Sequence, residues 1–379
     1  MQLVFTNYRE PMKTDYKTRI ISVIKNNSLV RLTLLVIPVI IILSCTKKNT
    51  QNTTPPPDLP AKVTTFKNPL LGSGADPWVI KSGNSFYYMS TQVSNISITK
   101  TPAISELGKA SSTVVWTAPT SGPNSRNIWA PELHYLQGKW YLYYTAGASS
   151  DLGTQRCFVL ENSSAEPLNG TWTDKGRLFD PNGDFFAIDG TVLEYKNKLY
   201  FIWSGQISKQ DITQRIYIAE MANPWTLKTA KVQICMPEYD WEKKGSAVNE
   251  GPEILQNATG RVFLVYSGSS CNTDDYGLGM LSLKADGDPL NPADWAKSPV
   301  PVFSKSIDNN VFGPGHNGFF KSKDNKEDWI IYHANAQSGL GCGGSRSPRI
   351  QKFTWNTDGT PNFGIPVSTT QSLTKPSGE

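Results

Sequence analysis

Ala187-Ile188-Asp189-Gly190-Thr191-Val192-Leu193-Glu194-Tyr195 runs through Lys196-Asn197 into Lys198-Leu199-Tyr200-Phe201-Ile202-Trp203-Ser204-Gly205. A carboxylate just before a glycine heads the first segment, and the return segment is aromatic. Two such segments around a short Asn-containing turn read as a β-hairpin. Aromatic segments of the same kind recur at residues 85–90, 139–144, 261–266 and 327–332. Aligned on Met89, Tyr144, Trp203, Tyr266 and Tyr332, they are spaced 55, 59, 63 and 66 residues apart. Most follow a Gly or Asn turn, namely Gly83-Asn84, Gly138, Asn197 and Gly260. Each copy is long enough for about four short strands, the size of one propeller blade. The expectation is an all-β, five-bladed β-propeller. A β-sandwich whose aromatic strands merely look alike is the alternative, and the regular spacing argues against it.

Composition agrees. The 30 Gly and 26 Pro in 379 residues favour a turn-rich β protein, and no long amphipathic helical pattern stands out. Residues 1–45 read as a targeting segment. A basic region reaching Arg31 precedes an apolar run from Leu32 to Leu43, then Ser44-Cys45. The ending Ile42-Leu43-Ser44-Cys45 resembles the bacterial lipobox, which implies lipidation of Cys45 and anchoring at the outer membrane of the cell envelope. An uncleaved membrane span is the alternative, but twelve apolar or small residues are short against the ~20 that spanning needs. Residues 46–66, with Pro55-Pro56-Pro57 and few apolar side chains, read as a tether, and 67–379 as the folded domain. Six basic and two acidic residues lie in the first 45, so removing them takes the formal charge from +5 to near +1. Nothing in that balance calls for nucleic acid as a partner.

Upstream of each aromatic segment stands a polar residue. Asp76 lies ten residues before Phe86, Asp189 eleven before Tyr200, and Glu250 thirteen before Phe263. His316 lies thirteen before Trp329, and in the second copy the place is taken by Trp129-Ala130-Pro131-Glu132. The first strand of each propeller blade lines the central channel, so equivalent positions in successive blades converge on one axis. A lone Asp before Pro or Gly is usually a turn residue. Four polar residues in register across repeats ask for more. Three carboxyls around one channel suit hydrolysis of a glycosidic bond with inversion. That reaction uses one carboxylate as base, a second carboxyl as acid, and gains from a third that raises the acid's pKa.

Gly74-Ala75-Asp76-Pro77, Trp129-Ala130-Pro131-Glu132-Leu133, Ala187-Ile188-Asp189-Gly190-Thr191, Asn249-Glu250-Gly251-Pro252-Glu253 and Gly313-Pro314-Gly315-His316-Asn317 resemble the signature blocks of glycoside hydrolase family 43. The resemblance covers the chain after the tether. It implies a five-bladed propeller that acts by inversion, commonly on arabinofuranosides or xylosides. Carried over residue by residue, it makes Asp76 the general base, Glu250 the general acid and Asp189 the modulating carboxylate. Glu253 competes with Glu250, but the block aligns Asn249-Glu250-Gly251-Pro252. Glu132 is expected to bond structural groups. Trp129 is expected to stack on a sugar, with a core tryptophan as the alternative. Arg349 is expected near the bound sugar, with Arg346 as its rival.

His316 resembles the axial histidine that in many members binds a hydrated calcium ion. One histidine without acids beside it is not itself a metal-site pattern, and a hydrogen-bonded channel histidine is the alternative. No cofactor is required for the chemistry. The stretch from Ser270 to Met280 and the loop Cys342-Gly343-Gly344-Ser345-Arg346 are most similar to the arabinofuranosidase branch. That implies release of L-arabinofuranose from arabinan or arabinoxylan, plant cell-wall polysaccharides, by exo action and as a monomer. The alternatives are a β-xylosidase or endo-arabinanase on the same scaffold, or a glycan-binding lipoprotein without activity. Cys271 and Cys342, in Gly- and Ser-rich loops of neighbouring repeats, are placed to pair, whereas Cys157 and Cys235 read as buried thiols.

Overall fold

The opening hairpin forms as read. Strands Ala187–Tyr195 and Lys198–Gly205 pair antiparallel, and both turn residues, Lys196 and Asn197, take positive φ (49° and 61°). A two-residue turn with both central residues left-handed matches the twist of the flanking strands. The structure, a computed structural model, describes residues 64–379. The expected signal segment, Cys45 and all but the last residues of the tether lie outside that range.

Five antiparallel sheets follow one another along the chain. Blade 1 is Trp78–Ser82, Ser85–Met89, Asn95–Thr101 and Ser112–Thr117, and blade 2 is Arg126–Leu136, Lys139–Gly147, Arg156–Asn162 and Thr173–Leu178. Blade 3 adds to its hairpin Arg215–Asn223, against which both Thr226–Leu227 and Val232–Cys235 pair. Blade 4 is Asn249–Gln256, Val262–Gly268, Gly277–Leu283 and Trp295–Lys297, and blade 5 is Phe312–Lys321, Asp328–Asn335, Ser347–Trp355 and Pro361–Asn362. This is the five-bladed propeller that the repeats imply. Among the described residues the helices are short 3-10 turns, and none is long and apolar enough to cross a membrane.

Why the second strand of each blade is aromatic follows from its position. Its side chains alternate between two faces, and each face meets a different neighbouring blade. Phe201 and Trp203 pack toward blade 2 with Tyr143, while Tyr200 and Ile202 pack toward blade 4 with Leu264 and Tyr266. Five apolar clusters result, one at each seam. Each fully buried aromatic contributes about 1.5–3 kcal/mol by leaving water, so truncating Phe201 to Ala is expected to cost about 3–5 kcal/mol. Gly190 belongs to the same packing. A Cβ there would lie 2.2 Å from Cζ of Phe201, so the glycine after Asp189 makes room for the aromatic strand behind it.

The ring closes between blades 5 and 1, and here the tether boundary needs correcting. Thr65–Phe66 is already a strand, paired with Leu373–Thr374, so the folded part begins before residue 67. Beyond it the chain laces along blade 5. Asn68 exchanges hydrogen bonds with the backbone of Ile350 (2.8 and 3.0 Å), Leu70 N–H donates to Pro348, and Gly74 N–H donates to Arg346. From the other end, the Glu379 carboxylate accepts from the amides of Ile104 and Ser105 in blade 1.

Candidate active site

At one equivalent position of its innermost segment each blade places a residue in the left-handed region, and blades 2 and 5 carry a second earlier in the strand, Asn127 (φ 53°) and Gly313 (56°). The equivalent residues are Asp76 (φ 56°), Ala130 (41°), Asp189 (55°), Gly251 (53°) and His316 (47°). In blades 2 to 5 the strand pairing skips over that position, as between Ile188 and Thr191 and between Glu250 and Glu253. Such bulges break the ladder locally and re-aim a side chain. Left-handed backbone is costly for residues other than glycine, and hydrogen bonds across the seams offset it. The amide of Ala130 donates to Thr91 Oγ1 (2.8 Å), that of Asp189 to Thr145 Oγ1 (3.0 Å), and that of His316 to Ser267 Oγ (2.8 Å). The Gly251 amide donates to Oδ2 of Asp189 (3.0 Å), and the Asp76 amide to Nδ1 of His333 (3.0 Å). Every seam is thereby latched at the axis.

The side chains so aimed line one cavity of about 830 Å³, whose walls include Asp76, Asp189, Glu250, His316, Trp129 and Arg346. The three carboxyls expected to converge do so. Trp129 stands on the cavity wall, as sugar stacking requires. Glu253 does not reach this cavity. The bulge after Glu250 sends it into a second cavity with Trp78, His134 and Thr191, and its buried neighbour Glu132 accepts a 2.8 Å contact from His134 Nε2. The expectation for Arg349 needs correction. Its side chain is fully buried within blade 5, where Nη2 makes a long 3.4 Å contact to the Ala334 carbonyl. Arg346 is the arginine of the cavity, with Nη1 3.2 Å from Oδ1 of Asp76.

Charge is distributed unevenly among the carboxyls. Burial pushes the Asp76 carboxyl up, but the His316 ring, the Arg346 guanidinium, the His333 ring and a 2.6 Å hydrogen bond from Thr91 outweigh it and hold the group at about 2. Burial also pushes both histidines down, His333 well below its ordinary value, so neither ring is charged at neutral pH. Arg346 and Thr91 therefore carry the stabilisation of ionised Asp76 there. Glu250 goes the other way. Burial raises it, a hydrogen bond from Tyr276 opposes, the charge on Asp76 raises it further, and it titrates at about 7. Asp189 is raised well above the carboxylate range by burial and by the charges of Glu250 and Asp76, against the pull of the Gly251 amide. Carboxyls this close titrate as a group. The group contains one carboxylate ionised throughout the working range and a second carboxyl kept protonated near neutrality, which is the division that acid–base catalysis needs.

Cys271 and Cys342 form a disulfide that ties a blade 4 loop to the blade 5 loop ending at Arg346, and both cysteines line the cavity. Cys157 and Cys235 are buried free thiols. The donor set at the axis does not fit a directly ligated calcium ion, which takes 6–8 oxygens. His316 offers one ring, its Nδ1 lies 3.4 Å from Asp76 and 4.0 Å from Asp189, and among the described residues no three acidic, His or Cys side chains are arranged to hold a metal.

Sequence reasoning passed over Tyr276 and His333 as functional residues, though the repeat register held a signal. One position past the alignment column stand Thr145, Ser204 and Ser267, and in the fifth copy His333.

The chain resembles known proteins along most of its length. It is 40% identical over 311 residues to an extracellular exo-α-(1→5)-L-arabinofuranosidase of Streptomyces avermitilis, covering 80% of this chain and 64% of that protein. It is 37% identical over 310 residues to α-L-arabinofuranosidase 43 of Humicola insolens, with the same coverage of each. The match thus spans just under two thirds of these two relatives' own length. The crystal structure of an α-L-arabinofuranosidase from Lactobacillus brevis superposes with a TM-score of 0.76 at 37% identity, covering 80% of this chain and 98% of that one. The pattern that defines glycosyl hydrolases family 43 matches residues 66–361, and the chain belongs to that family.

Proposed function

We propose that this protein is an inverting, exo-acting α-L-arabinofuranosidase that releases L-arabinofuranose from arabinan or arabinoxylan side chains. One observation carries the reading: a carboxylate held at about 2 and a carboxyl held at about 7 face one sugar-sized cavity. Asp76 is the base. Its ionised carboxylate takes a proton from a water that attacks the anomeric carbon. Glu250 is the acid and gives its proton to the glycosidic oxygen as the C–O bond breaks and the electron pair moves to that oxygen. Burial and the charge on Asp76 keep Glu250 protonated, and Asp189 orients the acid's strand by accepting from the Gly251 amide. Arg346 orients Asp76, and Trp129 offers a face to the sugar.

The relatives' names supply the sugar, and the exo mode rests on them as well. Acid and base are both carboxyls of this chain, so the proposed chemistry asks nothing of a cofactor. Activity is expected to survive a chelator. Product analysis on linear arabinan, debranched arabinan and arabinoxylan tests the substrate. Arabinose as the first product from linear arabinan is expected, and internal cleavage with no arabinose released would sink the exo reading. Retained activity on arabinan, whose leaving oxygen needs a proton, in Glu250→Ala, or on any substrate in Asp76→Ala, would remove the mechanism.

Location is part of the same proposal. Residues 1–45 act as a lipoprotein signal, Cys45 carries the lipid, and the following polar segment holds a monomeric propeller off the membrane. Mass spectrometry of the mature N-terminus is expected to find a lipidated Cys45, and Cys45→Ala is expected to release the protein from membranes. An unmodified mature chain that starts elsewhere would overturn this part alone.

A further inference from the structure

Two buried side chains behind the cavity connect the proposed acid to the proposed base, and neither lines the cavity itself. Tyr276, just before the third strand of blade 4, donates its hydroxyl to Oε1 of Glu250 at 3.0 Å. His333, in the second strand of blade 5, accepts the Asp76 amide at Nδ1. The two rings stack in parallel, with centroids 5.8 Å apart and planes 5° apart. A continuous path therefore runs from the Glu250 carboxyl through two flat rings to the backbone of Asp76.

Its surroundings are shaped to hold it. A Cβ on Gly315 would lie 2.2 Å from Cε1 of Tyr276, so the glycine before His316 is the space into which the tyrosine ring fits. Three of the other seams place a threonine or serine hydroxyl as acceptor for the left-handed residue's amide. A hydroxyl at residue 333 would serve that latch equally well, but could not reach Tyr276. The imidazole also has a cost that a hydroxyl avoids. Nδ1 accepts the hydrogen bond, so the neutral ring carries its hydrogen on Nε2, which among the described residues is buried without a partner. A ring retained against that cost points to the stack as its purpose.

We propose that Tyr276 and His333 are positioning residues that hold the acid's proton on Oε2 of Glu250 and set the acid's separation from Asp76. The proposal rests on the reading of Glu250 as general acid. Because Oε1 already accepts from Tyr276, Oε2 is the oxygen that carries the proton. Transfer moves that proton to the leaving oxygen, whose bond to the anomeric carbon breaks. Glu250 is left as a carboxylate whose bond from Tyr276 becomes charge-assisted. The charged and titratable groups facing Glu250 are Asp76 from blade 1, Asp189 from blade 3, and Arg346 and His316 from blade 5. Tyr276 and Gln214, which lies just before the third strand of blade 3, are neutral donors that lower the Glu250 pKa, and Tyr276 is the one whose hydroxyl is fixed on Oε1.

Tyr276→Phe keeps the ring and deletes the donor, and two substrates read its effect. An α-1,5-linked arabinobiose needs its leaving oxygen protonated, whereas 2,4-dinitrophenyl α-L-arabinofuranoside does not. On the disaccharide kcat is expected to fall about tenfold or more with KM changed less than about twofold. On the aryl glycoside the loss is expected to stay within about twofold, because no proton transfer is needed there. The alkaline limb of the pH profile moves up by about one unit, because the carboxylate loses a donor. His333→Phe keeps a ring against Tyr276 and deletes the acceptor, whereas His333→Asn keeps an acceptor near the Nδ1 position and deletes the ring, and the phenylalanine variant is expected to keep more activity on the disaccharide. Equal losses on both substrates in Tyr276→Phe with an unmoved alkaline limb, or equal losses in the two His333 variants, would overturn the proposal. Glu250→Ala is the control and is expected to spare the aryl glycoside. If it abolishes both activities equally, the acid assignment itself fails, which the tyrosine variant's result alone would not indicate.

Discussion

Arg346 and Asp76 meet across the seam where the ring closes, with Nη1 3.2 Å from Oδ1. With both neighbouring histidines neutral, this guanidinium is, among the described residues, the one cation paired with the proposed base. Arg346→Ala is expected to raise the Asp76 pKa, shift the acid limb of kcat/KM toward neutrality and lower kcat/KM about a hundredfold. Arg346→Lys should recover part of this, since it returns the charge without the planar reach. A pH–rate profile of the two variants checks it.

Arg349 gives the opposite expectation. Among the described residues it has no carboxylate partner, and its Nε and Nη1 are buried without hydrogen bonds. An unpaired buried cation is costly, and an apolar side chain of similar length removes that cost. Arg349→Met is expected to keep kcat/KM within about twofold and to melt no lower than the parent. A thermal melt beside an activity assay separates the two arginines.

The Glu250 carboxyl titrates at about 7 in the fold, against an ordinary value of 4.5. It must be protonated to act, so kcat/KM is expected to be full below that point and to fall as pH rises through about 7. Linkage fixes the sign of the stability effect. Between the two values the unfolded chain releases a proton that the folded chain keeps, so stability falls as pH rises through that window. Glu250→Gln abolishes the effect. At pH 8 it is expected to be the more stable protein by on the order of 2 kcal/mol, a gap that vanishes near pH 4.

The disulfide closes a loop spanning 71 residues between blades 4 and 5. On chain-entropy grounds its loss costs about 4 kcal/mol. Cys342→Ser is expected to lower the melting temperature and to raise KM, since Gly343, Gly344 and Arg346 of the same loop line the cavity. Melting with and without reductant gives the parent the same test, and the buried thiols Cys157 and Cys235 serve as unreactive controls.

Much of the fold was legible because one repeated signal encodes it. An aromatic strand buried on both faces must recur once per blade, and its spacing counts the blades. The carboxyls were legible for a related reason, since Asp76, Asp189 and Glu250 stand at like distances before those strands. Features that depend on distant partners left little local trace. The strand at Thr65–Phe66 exists because Leu373–Thr374 pairs with it, and nothing within the tether composition announces that pairing. Arg346 and Arg349 sit three residues apart in a Ser-Arg-Ser-Pro-Arg run. Only the point where the loop becomes strand Ser347–Trp355 decides which one reaches the cavity. Tyr276 reaches Glu250 from a loop 26 residues on, which no periodicity reports.

The seam between blades 5 and 1 joins the two ends of the polypeptide, and the proposed base is built there. Asp76 is 257 residues from His333 and 270 from Arg346. A chain still emerging from synthesis thus carries Asp76 early, without the arginine that keeps it charged or the ring that holds its amide. On the proposed mechanism, hydrolytic competence arises only once the last blade has docked on the first. Activity in this molecule is in that sense a readout of completed folding, and no truncated product lacking the fifth blade should cut a glycan.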